Sequence, residues 1–185
     1  MSKPSSGHFK GTGGSQARQA RQYKTFTNGG TYGSIKSNLD LREHPTKYKQ
    51  LSSKKLKSLR EKEANRTLTK AEYKHKEWQK RLTARRNEAI KEFWEKESFL
   101  IQNHLPTTRN WSAPQRKDIL AGKRPRFKGK VISSHHMYSV AKYPHLANRK
   151  EFIFPATFYE HVYGWHGGNT KNSLPGKPIK RIMEF

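Results

Sequence analysis

The sequence predicts an α+β protein with a flexible N-terminal tail, a helical middle segment and a compact C-terminal domain. Three observations lead to this prediction. Glycine and polar residues dominate 1–50, whereas 51–104 carries an apolar stripe with helical spacing. Residues 105–185 contain short apolar, β-branched and aromatic runs separated by turn-forming residues. We therefore expect three segments, with the mixed α+β domain in the last one.

The first segment is predicted to be flexible because it lacks the residues that build a core. Seven of the 13 glycines lie in 1–34, and apolar residues are sparse. Such a chain cannot bury enough surface to offset its conformational entropy. An alternative is a basic arm that settles on nucleic acid or a delivery partner. The first 16 residues contain no apolar run typical of a Sec signal, so any export is expected to use a specialised route.

The middle segment is predicted to contain two helices. A short helix is expected over 53–66. Thr69 and Glu72 have the spacing of a capping box, which predicts the start of a helix of about 30 residues. Its apolar stripe consists of Trp78, Leu82, Ala89, Phe93 and Leu100. We interpret it as an amphipathic helix that packs on the C-terminal domain with its other faces solvated; direct contact with nucleic acid or an inhibitor is the alternative.

The C-terminal segment is predicted to run helix, strand, loop, strand, helix. A second capping box, Ser112 to Gln115, begins a short helix that ends at Gly122. Strands are expected at 130–134 and at 151–154. A third capping box, Thr157 to Glu160, begins a helix that ends near Gly167, and 169–185 is expected to be irregular.

The net charge predicts a polyanionic partner. The chain has 39 Lys and Arg against 14 Asp and Glu, for a formal charge of +25. Residues 105–185 hold 15 basic and 4 acidic side chains, so this segment is the expected polyanion-binding face. Nucleic acid is the first candidate, and an anionic membrane is the second. Stable membrane insertion is not expected, because no apolar run of 18 residues exists.

Histidines cluster in the C-terminal segment and indicate chemistry. Five of the nine lie between 135 and 166, namely His135, His136, His145, His161 and His166. Imidazole binds metals and moves protons near neutral pH. The chain has no cysteine, so a metal would be held by His, Asn, Asp or Glu. Folding strand, strand and helix together would bring the adjacent pair close to the two helix histidines.

This composition fits a phosphodiesterase better than other hydrolases. Such an enzyme needs a base for water, a cation for the phosphate oxygens and positive charge to hold the backbone. Candidate backbone contacts lie nearby in sequence, namely Lys128, Lys130, Lys142 and Arg149. One geometric difficulty is that His161 and His166 are five residues apart, about 140° around an ideal α-helix. Both can reach one metal only if the helix loosens at Gly164 or unwinds before Gly167.

The residues ISSHHMYSVAKYPHLAN and IFPATFYEHVYGWHGGNTKNSLPGKP resemble the GHH-signature nuclease toxins of the HNH/endonuclease VII superfamily. These are C-terminal modules of bacterial polymorphic toxins that act in bacterial competition. The resemblance is specific over 109–178 and weaker over 69–108. It implies a ββα-metal, HNH-like nuclease domain over 105–185.

The resemblance also implies roles for single residues. His135 would be a metal ligand, and His136 would be the general base that activates water. His161 would be a second ligand, and His166 would be a further ligand or a phosphate contact. Either Asn148 or Asn169 would be the orienting asparagine of the superfamily. One departure is Ser134, which replaces the signature glycine and resists a positive φ if the family uses one there.

The sequence therefore predicts an endonuclease with one divalent metal ion, DNA as its expected substrate and the target-cell cytoplasm as its expected site of action. Mg, Mn, Zn and Ni remain open, because three imidazoles favour a transition metal whereas oxygen ligands from phosphate and water would suit Mg or Mn. An acidic immunity protein is expected on charge grounds. Two alternatives remain: a non-catalytic nucleic-acid-binding protein with a structural metal site, and an RNase on the same scaffold.

Overall fold

The computed structural model describes residues 39–185, and the chain divides into two units, 1–41 and 42–185. Residues 1–38 of the predicted tail lie outside the described residues, and of the first unit only 39–41 are described. In the second unit, 42–50 contains no helix or strand. Backbone contacts fix this stretch, because the His44 amide donates to the Lys142 carbonyl at 2.9 Å and a His75 ring nitrogen donates to the Lys49 carbonyl at 2.7 Å.

Two helices follow, as predicted. Helix α1 spans Ser53–Ala64, and helix α2 spans Lys70–Gln102. The Thr69 hydroxyl accepts from the Glu72 amide, and the Glu72 carboxylate accepts from the Thr69 amide, each at 3.2 Å, so the predicted capping box is present. Four of the five predicted stripe residues of α2 are buried, namely Leu82, Ala89, Phe93 and Leu100. Trp78, the fifth, is half-buried.

Helix α3 spans Ala113–Leu120 and ends as its sequence predicts. The Gln115 side chain accepts from the Ser112 amide at 3.0 Å. At the other end, the Gly122 and Lys123 amides donate to the carbonyls of Ile119 and Asp118 at 3.0 and 2.8 Å. These two bonds form a Schellman motif, which requires the positive φ of 70° that Gly122 adopts.

The strands form two antiparallel pairs. The first pair, β1 at Arg126–Phe127 and β2 at Lys130–Val131, is a short hairpin; the second joins β3 at Ser133–His136 to β4 at Ile153–Ala156. The strand predicted at 130–134 is therefore divided between β2 and β3. The strand predicted at 151–154 begins two residues later, because Lys150–Phe152 forms a 3-10 turn.

The second strand pair packs on α2 and is followed by a helical segment. Ile153 of β4 packs against Ala89 and Phe93 of α2. The segment after β4 begins at the predicted capping box, since the Thr157 amide donates to the Glu160 carboxylate at 2.9 Å. From Glu160 to Trp165 it is a π-helix. The fold class is thus α+β, with an antiparallel strand pair followed by a helix. The finer ββα-metal arrangement stays a prediction.

A buried ion pair ties this π-helix to the start of α3. The Arg109 guanidinium donates two hydrogen bonds to the Glu160 carboxylate, at 2.5 and 2.7 Å, and both side chains are almost fully buried. Arg109 also donates to the Pro155 carbonyl at 2.8 Å. The bidentate geometry orients both groups. The pair therefore fixes the π-helix against β4.

Candidate active site

Three of the predicted site residues come together at the junction of β3 and the π-helix. The potential ligand atoms of His135, His161 and His166 all lie within 4.8 Å of one another. The His135 ring centroid lies 5.0 Å from that of His161 and 5.1 Å from that of His166. Three imidazoles at this separation form a group that could hold a metal ion.

The π-helix explains how two histidines five residues apart share one side. The His166 amide donates to the His161 carbonyl at 3.2 Å, an i to i+5 bond that widens the turn. The two ring centroids are 4.8 Å apart. Gly164 contributes to this geometry, because its carbonyl accepts from the Lys180 amide at 2.9 Å and a Cβ there would lie 3.3 Å from the Lys180 carbonyl oxygen. The distortion predicted around Gly164 is confirmed.

His135 is the most enclosed member of this group. It is 8% exposed, and its ring lies 4.4 Å from the Trp165 ring. Burial and, to a smaller extent, the neighbouring His161 and His166 together lower the pKa of His135 to about 3. Burial also lowers the pKa of His161. Both rings are therefore neutral near pH 7, the state in which imidazole binds a metal.

His136 occupies a different position from the three clustered imidazoles. Its Nε2–H donates to the Ala147 carbonyl at 3.2 Å. This bond selects the tautomer in which Nδ1 carries the lone pair. The pKa of His136 is lowered to about 4, mainly by burial and also by the positive charge of Arg86, against the opposing effect of the bond to Ala147. The neutral ring has one nitrogen that can accept a proton.

The two candidate asparagines lie in loops that each offer a backbone carbonyl as hydrogen-bond acceptor to a site histidine. Asn148 follows Ala147, and its side-chain oxygen accepts from Arg85 at 2.9 Å. The Asn169 carbonyl accepts from the Asn172 amide at 2.8 Å, and the Asn172 carbonyl accepts from His166 Nδ1–H at 2.6 Å. Asn148 thus supports the loop behind His136, and Asn169 supports the loop behind His166.

His145 lies outside the cavity that contains the other four histidines. Its ring meets the His44 ring edge to face at 4.5 Å, and its carbonyl accepts from Arg85 at 2.9 Å. The same Arg85 guanidinium holds Asn148. These contacts hold His145 within the loop whose Ala147 carbonyl accepts the hydrogen bond from His136.

The four clustered or adjacent histidines line one open cavity of about 500 Å³. Its basic side chains are Arg86, Arg124 and Lys171. The four predicted backbone contacts do not line it. They lie elsewhere on the surface: Lys128 bonds to Glu184, Lys130 lies over the Phe158 ring, Lys142 pairs with Glu43, and Arg149 is exposed. Their predicted role in binding nucleic acid stays a prediction.

Arg86 is a site residue that the sequence did not single out. It belongs to α2, on a face expected to be solvated, yet it lines the histidine cavity. Within residues 42–185, its buried Nε has no hydrogen-bond partner, and its Nη1 donates only a long bond of 3.5 Å to Gln50. Burial lowers the pKa of Arg86. A buried donor without a protein partner is suited to a ligand oxygen.

The part of the chain that supplies His135, His136 and Arg86 to the cavity matches a known protein family. Residues 76–156, somewhat less than half of the chain, match the family described as GHH signature containing HNH/Endo VII superfamily nuclease toxin. The predicted resemblance to GHH-signature nuclease toxins is confirmed. No curated protein and no solved structure matches the chain.

The GHH match covers β3 and β4 but ends before the π-helix. It includes His135, His136 and most of α2 with Arg86, whereas His161 and His166 lie beyond it. At the signature position, Ser134 lies in β3 opposite Pro155 and has no positive φ. Its hydroxyl accepts from the Trp94 indole at 2.9 Å. The extended backbone is one that serine adopts without strain.

Among residues 39–185, no helix combines the length and the apolar character that a membrane span requires. The 33-residue helix α2 is long enough, but its exposed faces carry charged residues.

Proposed function

We propose that the chain is a metal-dependent nuclease toxin that hydrolyses phosphodiester bonds, with DNA as its substrate. The observation that carries this proposal is the placement of His136 beside the three clustered imidazoles in one basic cavity. The match to a nuclease-toxin family supports it independently. On this proposal, β3, β4 and the following helix form the ββα-metal arrangement of the HNH class.

The cluster of His135, His161 and His166 fits one divalent cation. The donor set consists of three imidazoles, and the hydrogen bond from His166 Nδ1 to the Asn172 carbonyl leaves Nε2 facing away from that bond as the potential ligand atom. Three imidazoles favour Zn, Ni or another transition metal, and oxygen ligands from substrate and water would also admit Mg or Mn. When bound, the cation would stabilise negative charge on the leaving oxygen.

His136 supplies the general base in this scheme. Its Nε2–H is fixed on the Ala147 carbonyl, so Nδ1 takes a proton from a water molecule as that water attacks phosphorus. A new P–O bond forms to the water oxygen, and the P–O bond to the leaving oxygen breaks. The low pKa of His136 keeps the ring neutral before the reaction.

The phosphate is held by cations of the same cavity. Arg86, Arg124 and Lys171 line it together with the histidines. The unpartnered Nε of Arg86 is the donor best suited to a non-bridging phosphate oxygen. The lysines and arginine predicted from the sequence would contribute at longer range by attracting the polyanion.

The proposal extends to the biology of such a toxin. A chain with a charge of +25 is expected to meet an acidic immunity protein in the cell that makes it. Delivery by a specialised export route and action in the target-cell cytoplasm belong to the same proposal.

A cleavage assay tests the proposal. Purified full-length chain is incubated with supercoiled plasmid or with folded RNA, in EDTA or with added Mg²⁺, Mn²⁺, Ni²⁺ or Zn²⁺. We expect nicking and then degradation of the plasmid with a divalent metal and none in EDTA. Cleavage of RNA alone would make the protein an RNase. Binding without cleavage of either substrate would favour the non-catalytic alternative, in which the three imidazoles hold a structural metal.

A further inference from the structure

A second open cavity, of about 520 Å³, lies beside the histidine cavity. One wall is a stripe on α2 that includes Asn87, Lys91, Trp94 and Ser98, with Phe99 next to Ser98. The first four positions recur at intervals of three or four residues, so they lie along one side of the helix. The stripe runs from residue 87 to residue 102, a length of about 22 Å. The other wall is the end of α3, which makes the cavity an elongated groove.

The end of α3 places positive charge along this groove. The Schellman motif at Gly122 ends the helix and turns the chain, so Lys123 and Arg124 line the groove directly after it. Both side chains are exposed, and no carboxylate within residues 42–185 pairs with either of them. On the opposite wall, Lys91 lies 3.7 Å from Glu95 and offsets its charge.

The groove adjoins the histidine cavity. Ile90 and Arg124 line both spaces. A chain molecule bound in one is therefore only a side chain's width away from the other. Arg124 lies at the junction, where a phosphate shared by the two spaces would sit.

The groove also has apolar and aromatic walls. Trp94 and Phe99 are half-buried, and the Leu120 side chain is 45% exposed. A surface that combines cations with aromatic rings is typical of sites for unpaired nucleotides, because phosphates meet the cations and bases stack on the rings. A phosphate-only surface would not need the apolar walls.

We propose that this groove binds one single strand of nucleic acid that leads out of the histidine cavity. The proposal rests on the proposed nuclease function, because that function supplies the polymer that enters the groove. A duplex fits these walls less well than a single strand, because its bases are stacked inside the helix. Trp94 and Phe99 cannot contact their faces there. The groove therefore predicts a preference for single-stranded or locally unpaired substrate next to the cleaved bond.

Two substitutions test the groove without touching the histidine cavity. Lys123→Glu reverses a groove charge, and Phe99→Leu removes an aromatic face while keeping apolar bulk. Lys80→Glu is the matched control, because Lys80 is exposed on α2 and lines neither space. All three are made in the full chain with His136→Ala, and binding of a labelled oligonucleotide, single-stranded or annealed to its complement, is measured by fluorescence anisotropy in EDTA. Thermal melts check that each variant is folded.

We expect Lys123→Glu to weaken single-strand binding roughly tenfold relative to Lys80→Glu, with a smaller effect on the duplex. Phe99→Leu should weaken single-strand binding about fivefold or more and leave duplex binding unchanged. If folded groove variants bind the single strand as tightly as the control does, the groove assignment is wrong while the nuclease proposal stands. If the unsubstituted chain neither binds nor cleaves nucleic acid, the nuclease proposal fails and the groove assignment fails with it.

Discussion

The His166 amide donates a hydrogen bond to the carbonyl of His161, five residues earlier, at 3.2 Å. In an α-helix this amide would bond to the residue four positions back, and the two rings would lie on different sides. The wider π turn brings the two ring centroids to 4.8 Å from each other and places both rings beside His135. The candidate metal centre therefore depends on a local departure from α-helical geometry.

Removal of one imidazole should weaken metal binding without unfolding the chain. His166→Ala is the most suitable change, because His166 lies less deeply in the core than His135. Its loss leaves the buried His135 ring in place. We expect the affinity for Ni²⁺ or Zn²⁺, measured by titration calorimetry, to fall at least about tenfold. His104→Asn is the control, since His104 is exposed and its positive φ of 51° suits asparagine. Equal affinities in the two variants would remove His166 from the metal site.

Restoring the signature glycine should destabilise this protein. Ser134→Gly deletes the acceptor for the Trp94 indole in β3 and increases the conformational entropy of the unfolded chain, for an expected loss of about 1–2 kcal/mol in the free energy of unfolding. Ser133→Gly carries the entropy cost alone, so the difference between the two in urea unfolding isolates the Trp94 bond. No gain in cleavage is expected. A more active or more stable Ser134→Gly chain would contradict this account of the serine.

The Arg109–Glu160 pair should be required for stability because it is buried. Arg109→Leu leaves the Glu160 carboxylate without its cationic partner in a nearly inaccessible position. We expect the free energy of unfolding to fall by about 3–5 kcal/mol, measured by urea unfolding in EDTA. Lys142→Ala is the control: its exposed pair with Glu43, at 3.0 Å, should contribute less than about 1 kcal/mol. Similar losses of unfolding free energy in both variants would show that burial does not increase the contribution of the Arg109–Glu160 pair to stability.

The helices were predictable because their signals are local. The capping boxes at Thr69, Ser112 and Thr157 are each present, and the apolar stripe of α2 is largely buried. The strands were less predictable. The hairpin of β1 and β2 has only two residues in each strand, too short for any alternation of apolar and polar residues to appear.

The candidate site was predictable only where its residues are close in sequence or chemically distinctive. The four histidines of the cavity were found because imidazoles are rare and clustered. Arg86 was missed, since one more arginine on a highly basic helix carries no local signal. Its place beside His136 follows from the packing of α2 on β3 and β4, a contact between distant parts of the chain. Lys128 and Lys130 were predicted as phosphate contacts because they are close to the histidines in sequence, but the fold places their side chains outside the histidine cavity.

Cleavage and metal affinity measured in parallel separate metal binding from catalysis at His136. The full chain and its His136→Ala variant are compared in plasmid cleavage with saturating metal, and their metal affinities are measured in parallel. We expect the variant to keep its metal affinity within about twofold and to lose at least a hundredfold in cleavage rate, because His136 takes a proton from water and is not a ligand. Undiminished cleavage by a variant that still binds metal would contradict the assignment of His136 as the base.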